Sequence, residues 1–380
     1  MRIVIDMQGA QTESRFRGIG RYSVSLAQGI VRNRGEHEVY LLLNGMLSES
    51  IEAIRGAFVG LLPQSHIRVW YAQGPVAGIN PANESRHEVA KLIRQAAIDE
   101  LQPDVVHITS AVEGFIDDAV ICRPPEHKRA IVSVTLYDLI PLTNPQQYLD
   151  HAQYKQYYMG IVGSFKDHGV LLAISECARQ EALSLLPLDQ DKVVNVSGAA
   201  DAIFRPVTLT DEARSALKSK FGLRDAFVLY SGGADERKNL SRLIVAFADV
   251  KREIEDVQLV FAGKISQHII ERYRGEALAQ GLAEDDLVFT GFITDDELVA
   301  LYNTCRLYVF PSWHEGFGLP PLEAMKCGAP VIGANTSSVP EVIGWDEATF
   351  DPLDTASIAQ KMNQALVDED CLLYTSDAAD

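Results

Sequence analysis

The sequence lacks a basic excess: 34 Lys and Arg stand against 52 Asp and Glu, a net charge of −18 over 380 residues. A general nucleic-acid binder needs a positive field over its binding face, so that class is set aside. Cysteine is sparse. The five thiols, at 122, 177, 305, 327 and 371, are scattered, odd in number and never spaced C-x-x-C. That usage fits a reduced, cytoplasmic protein whose thiols serve as small core residues. No His/Cys run has zinc spacing. D-x-D occurs only as "DQD" (189–191) and "DED" (368–370), which read as exposed loops or helix ends, so no metal is expected. No apolar run approaches the ~18 residues that span a bilayer. "MRIVID" begins directly as a strand, with no basic and apolar leader regions before it. Any membrane contact is expected to be peripheral.

What is present is ordinary globular composition, 47% apolar and 23% charged, with a strong alternation of short and long apolar patterns. Strand candidates are 2–6, 38–44, 105–110, 130–138 and 169–175, with helices expected over 21–33 and 84–101. The pattern restarts with strands at 226–232, 257–263, 287–291, 306–312 and 329–335, separated by helices at 239–253, 267–280, 295–304 and 320–327. Continuous apolar strands alternating with helices imply buried parallel sheets. Each half opens as strand, glycine-bearing loop and helix. The expected architecture is α/β, with two Rossmann-like domains, 1–205 and 206–370, whose parallel sheets face across a cleft.

The most irregular stretch is "SWHEGFGLPPLEAMKCGAP" (312–330), with two carboxylates flanking two glycines and two prolines. It reads as a strand-end loop holding Glu315, followed by a short helix whose first turn holds Glu323. Gly316 and Gly318 can take positive φ and let backbone approach a ligand. The helix N-terminus suits an anion. Glu323 could also simply complement the helix dipole, which explains neither Glu315 nor the glycines.

These residues carry a resemblance. "E-GFGLPPL-E" resembles the E-x7-E signature of retaining GT-B glycosyltransferases of family 4. "GIGRY" (18–22), "VTLYDLIPL" (134–142), "RKNL" (237–240), "GFITDDELVALY" (291–302) and "SSVPEV" (337–342) follow in the family's order, up to about residue 368. The sequence most resembles bacterial mannosyltransferases of surface-polysaccharide assembly, such as O-antigen biosynthesis on lipopolysaccharide, which use GDP-mannose.

The resemblance implies a retaining hexosyltransferase with a nucleotide sugar as co-substrate and no metal. It places Glu323 on the donor ribose, Glu315 on the transferred sugar, and the N–H groups of Phe317, Gly318 and Leu319 at the sugar and diphosphate. Lys238 matches the lysine that neutralises the diphosphate. The usual guanidinium position falls on Gly232-Gly233, and Arg237 substitutes for it. The bland alternative for "DERKNL" is a solvated helix start. Gly20 resembles the glycine whose amide meets the donor phosphate. Tyr137 stands where the family often has a histidine that touches the sugar, and Asp138 is expected to orient the acceptor hydroxyl. His107, ending a strand, either faces the acceptor or is a structural hydrogen-bonder.

The arginine-rich, acid-free run from Ser14 to Gly35 contains Arg15, Arg17, Arg21, Arg32 and Arg34. The bland reading of this run is a solvated helix face with arginines lying over apolar neighbours. In the functional reading Arg17 is expected at the acceptor, and Arg32 and Arg34 at an anionic inner-leaflet surface that holds a polyprenyl-diphosphate-linked glycan. A sugar-nucleotide epimerase and a non-catalytic nucleotide-sugar binder remain as alternatives. A dehydrogenase is disfavoured, because "GIGRYS" is a poor dinucleotide fingerprint. The final "CLLYTSDAAD" (371–380) does not resemble the family's closing helix. It is similar to translated sequencing adapter, and is expected to pack poorly and leave apolar surface of the first domain uncovered.

Overall fold

The computed structural model describes residues 1–121 and 130–367. The expectations for residues 371–380 lie outside these residues. The chain forms two compact units, Met1–Gly198 and Ala199–Asp380, the second described as far as Val367.

The first unit is built on seven strands: β1 (Arg2–Asp6), β2 (Glu38–Asn44), β3 (Ile67–Trp70), β4 (Val105–Ile108), β5 (Ile131–Leu136), β6 (Val170–Ala173) and β7 (Val193–Asn195). Their order is β3-β2-β1-β4-β5-β6-β7, and every pairing is parallel. The order reverses between β1 and β4, where loops leaving two neighbouring strands diverge and a ligand can enter. The helix Gly18–Arg32 follows β1 and buries Tyr22, Ser23, Ala27 and Val31. Roughly helical spacing of these four explains why the first arginine-rich run folds as an amphipathic helix. At the end of β1 the carboxylate of Asp6 is fully enclosed and pairs with buried Arg94, 2.5 Å away, on the helix Glu84–Glu100. Such a pair is a weak source of net stability, but losing one partner costs ~3–5 kcal/mol because the other charge stays buried.

The second unit holds β8 (Phe227–Ser231), β9 (Gln258–Ala262), β10 (Leu287–Phe289), β11 (Leu307–Phe310), β12 (Val331–Ala334) and β13 (Thr349–Phe350). Their order is β10-β9-β8-β11-β12-β13, again all parallel, with the reversal between β8 and β11. Every residue of β8, β9, β11 and β12 is buried. Helices Leu240–Glu253 and Thr355–Val367 pack against each other.

The division falls after Gly198 rather than after residue 205. The cause is Phe204, which is 1% exposed and sits edge-on to Tyr302 at 6.0 Å between ring centroids. Asn303 fastens the same segment, donating to the Arg205 carbonyl and accepting from the Val207 amide.

Candidate functional site

In the second unit the loops leaving β8 and β11, the two strands at the reversal, carry the expected donor residues. Gly232 begins the β8 loop at φ +138, in the left-handed region that glycine tolerates. The loop turns through Glu236–Lys238 into Asn239, itself left-handed at φ +62. The Asn239 side chain is buried and donates to the carbonyls of Pro311 (3.1 Å) and Pro352 (2.6 Å). One asparagine thus holds the β8 loop against the ends of β11 and β13. Asparagine suits the position because its short polar side chain lowers the cost of this backbone region.

Arg237 and Lys238 converge on Glu315. Lys238 Nζ lies 2.5 Å from Oε1, and Arg237 Nη1 lies 2.7 Å from Oε2. Lys238 also stands over the Phe310 ring, 5.3 Å from its centroid. Arg237 donates to the His314 carbonyl, and its own carbonyl accepts from the Trp313 amide and the Ser312 hydroxyl. Glu315 is 9% exposed. Burial by itself would raise its carboxyl, but the Lys238 and Arg237 charges outweigh burial and hold it at about 2. Burial lowers the Lys238 ammonium, with Glu315 opposing that shift.

The backbone around Glu315 is fixed by two serines. Ser337 accepts from the Glu315 amide at 3.0 Å and donates to its carbonyl at 2.7 Å. Ser338 donates to the carbonyls of Glu315 and Phe317. Gly318 takes φ +114 and caps the helix Leu319–Lys326, whereas Gly316 is not among the positive-φ glycines. Pro320 and Pro321 carry no N–H, so the helix start presents fewer donors than an ordinary helix terminus. Among the described residues, the N–H groups of Phe317, Gly318 and Leu319 meet no protein acceptor.

Glu323 is the fifth residue of that helix and not in its first turn. It is therefore poorly placed to complement the helix dipole. Its side chain is 6% exposed and accepts from the Tyr302 hydroxyl at 3.3 Å. Ser231, the last residue of β8, lies within hydrogen-bond reach of both Tyr302 and Tyr308. This hydroxyl cluster around Glu323 was not read from the sequence.

The residues assigned to the first unit fare differently. Gly20 is the third residue of the helix Gly18–Arg32, and a Cβ there would come within 2.3 Å of Arg15 Cα and 2.7 Å of the Ser14 carbonyl. Close backbone packing alone therefore demands glycine. Arg17 is exposed at the helix N-cap. The Tyr137 hydroxyl lies 3.0 Å from Ser23 Oγ and donates to the Ile19 carbonyl, so the helix holds it; burial pushes its pKa up. Asp138 Oδ1 accepts from the Ile140 amide.

His107 needs correction as an acceptor contact. It is 3% exposed, its Nδ1 meets Ser133 Oγ at 3.0 Å, and its Nε2 meets Thr135 Oγ1 at 3.1 Å. Burial pushes its pKa down to about 4, so the ring is a neutral tie between β4 and β5. A carboxylate missed by sequence reading lies nearby in chain order. Glu113, after β4, is 6% exposed and accepts from Thr12, Ser14 and Ser110 hydroxyls, tying the β1 and β4 loops together. Its burial raises the carboxyl, opposed by those hydroxyls.

Among the described residues no helix is long and apolar enough to cross a membrane. Residues 212–379 match the family of glycosyl transferases group 1. Residues 212–379 are a group 1 glycosyltransferase domain, and the chain's two parallel α/β units are those of the GT-B fold. Over 97% of its length it is 39% identical to the serotype-specific mannosyltransferase WbdA of Escherichia coli, and it spans 44% of that relative's length. It is 29% identical to the O-antigen chain mannosyltransferase B of Escherichia coli, over 65% of this chain and 63% of the other. A solved structure of Anabaena Alr3699/HepE, bound to UDP and glucose, shares the fold at a TM-score of 0.67 and 17% identity, covering 100% of this chain and 93% of the other.

Proposed function

We propose that this chain is a retaining hexosyltransferase that moves mannose from GDP-mannose to a glycan or a lipid-diphosphate-linked glycan. The observation that carries the reading is the convergence of Arg237, Lys238 and Glu315 at the reversal of the second sheet, beside amides at 317–319 that meet no acceptor among the described residues. The mannosyltransferase names of the two Escherichia coli relatives support the sugar.

In this reading Glu323 holds the donor ribose, and Glu315 accepts from hydroxyls of the transferred sugar. Arg237, Lys238 and the amides of Phe317, Gly318 and Leu319 receive the diphosphate. The bond from the anomeric carbon to the diphosphate oxygen breaks, and the acceptor oxygen bonds to that carbon on the same face. The leaving diphosphate takes the acceptor's proton. Preorganised cations stabilise the charge that develops on it, so the reading uses no metal. Arg17 and Asp138 remain the proposed acceptor contacts, with Tyr137 holding the helix start. The protein works at the cytoplasmic side of a membrane, touching it through exposed arginines of the first unit.

The test is a panel of nucleotide sugars with a mannose-terminated acceptor, followed by released nucleoside diphosphate and extended glycan. Acceptor-dependent GDP release from GDP-mannose is expected. Donor consumption without acceptor would point to an epimerase, and tight binding without turnover to a carrier.

A further inference from the structure

Glu315 sits between two cations. Each carboxylate oxygen has its own partner, Lys238 at 2.5 Å and Arg237 at 2.7 Å. Asp235 Oδ1 lies 3.6 Å from Arg237 Nε. Among the described residues both cations are thus engaged by carboxylates, and an arriving diphosphate competes with Glu315 for them. A diphosphate that pairs with both cations displaces the Glu315 carboxylate. The backbone of Glu315 cannot follow, because Ser337 and Ser338 hold its amide and carbonyl.

The consequence depends on what the diphosphate carries. A bare nucleoside diphosphate would strip Glu315 of its cations and leave a buried carboxylate unpaired beside like charge, which is costly. A nucleotide sugar brings hydroxyls along with its diphosphate. Those hydroxyls can donate to the displaced carboxylate and satisfy it. Once the sugar has left, the hydroxyl donors leave too, and Glu315 again competes for Lys238 and Arg237.

We propose that Glu315 is the site's internal counter-ion, and that it discriminates the intact nucleotide sugar from the spent nucleoside diphosphate, favouring product release. The proposal rests on the donor-site reading above. It assigns Glu315 a role opposite in sign to a simple binding residue: removing its charge tightens the product.

Calorimetric titration of wild type and Glu315→Gln with inorganic pyrophosphate, GDP and GDP-mannose tests it. The variant is expected to bind pyrophosphate and GDP about tenfold more tightly, as expected when a charged hydrogen-bond competitor is removed. GDP-mannose is not expected to tighten in step, so the preference for donor over product falls. Glu315→Asp keeps the charge but is one methylene too short to span both cations. It should shift the same preference in the same direction, and decides the matter if Glu315→Gln does not fold. Unchanged or weaker pyrophosphate and GDP binding in the folded variant overturns the proposal and leaves the donor-site reading standing. Tighter pyrophosphate with no nucleotide binding in either protein overturns both.

Discussion

Tyr302 donates its hydroxyl to Glu323 at 3.3 Å, and the same hydroxyl lies 2.8 Å from Ser231 at the end of β8. The carboxylate expected on the ribose is therefore positioned by a neighbouring helix and strand. A charged hydrogen bond to a ligand hydroxyl contributes ~1.5–3 kcal/mol. Glu323→Ala is expected to raise the donor KM or lower kcat/KM at least about tenfold. Tyr302→Phe, which removes the hydroxyl that meets Glu323 and Ser231 but keeps the carboxylate, should cost less. Unchanged donor kinetics in folded Glu323→Ala would remove Glu323 from the site.

Acid should destabilise the fold in two windows. His107 has an ordinary value of 6.5 and about 4 in the fold, so the unfolded chain binds its proton first as pH falls. Its contribution is present above 6.5 and lost as pH falls from there toward 4. Glu315, depressed from 4.5 to about 2, contributes above 4.5 and loses that contribution as pH falls toward 2. Thermal melts across pH should show His107→Gln flattening the upper window and Glu315→Gln the lower. Identical slopes in variant and wild type would contradict these environments.

Gly20 and Gly29 lie on one helix with opposite surroundings. An added Cβ at Gly20 meets Arg15 backbone at 2.3 Å, while at Gly29 it meets nothing within 4 Å. Gly20→Ala is expected to destabilise by ~1–3 kcal/mol through overpacking. Gly29→Ala should stabilise by about 0.5–1 kcal/mol through reduced chain entropy. Melting temperatures that move in the same direction would refute the contrast.

Arg32 is exposed and, among the described residues, donates to Gln28, whereas Arg34 donates to the carbonyls of Val31 (2.7 Å) and Leu61 (3.2 Å). The two arginines should therefore separate in a vesicle assay. Each basic side chain near an anionic surface contributes about 1 kcal/mol, screened by salt. Arg32→Glu should weaken binding to phosphatidylserine vesicles without changing the melting temperature. Arg34→Glu should lower the melting temperature as well. Vesicle binding indifferent to salt and to Arg32→Glu would rule out this surface.

The strands that sequence made plain are the wholly buried ones. "FVLYS" and "QLVFA" have no solvent face, so their apolar runs are continuous. The missed strands are short or at a sheet edge: Ile67–Trp70, Val193–Asn195 and Thr349–Phe350. Their few buried residues leave little pattern to read. The loop holding Glu315 was legible from its own glycines, but its cations lie 77 and 78 positions earlier in the chain, so only the fold brings the cluster together. His107 stayed open between two readings because strand position says nothing of partners; the register that sets it opposite Ser133 does. Asn239 carried a signal in hindsight, since asparagine before a helix is a residue that tolerates left-handed backbone.

The central claim is hexosyl transfer from a nucleotide sugar by the site around Glu315. It is tested most directly by incubating the protein with GDP-mannose and a mannose-terminated glycan, then determining the product's mass and anomeric configuration. The account predicts a glycan extended by one hexose in α linkage, with GDP released in equal amount and both lost in Lys238→Ala. An unextended glycan with every nucleotide sugar tried, or a β-linked product, would contradict it.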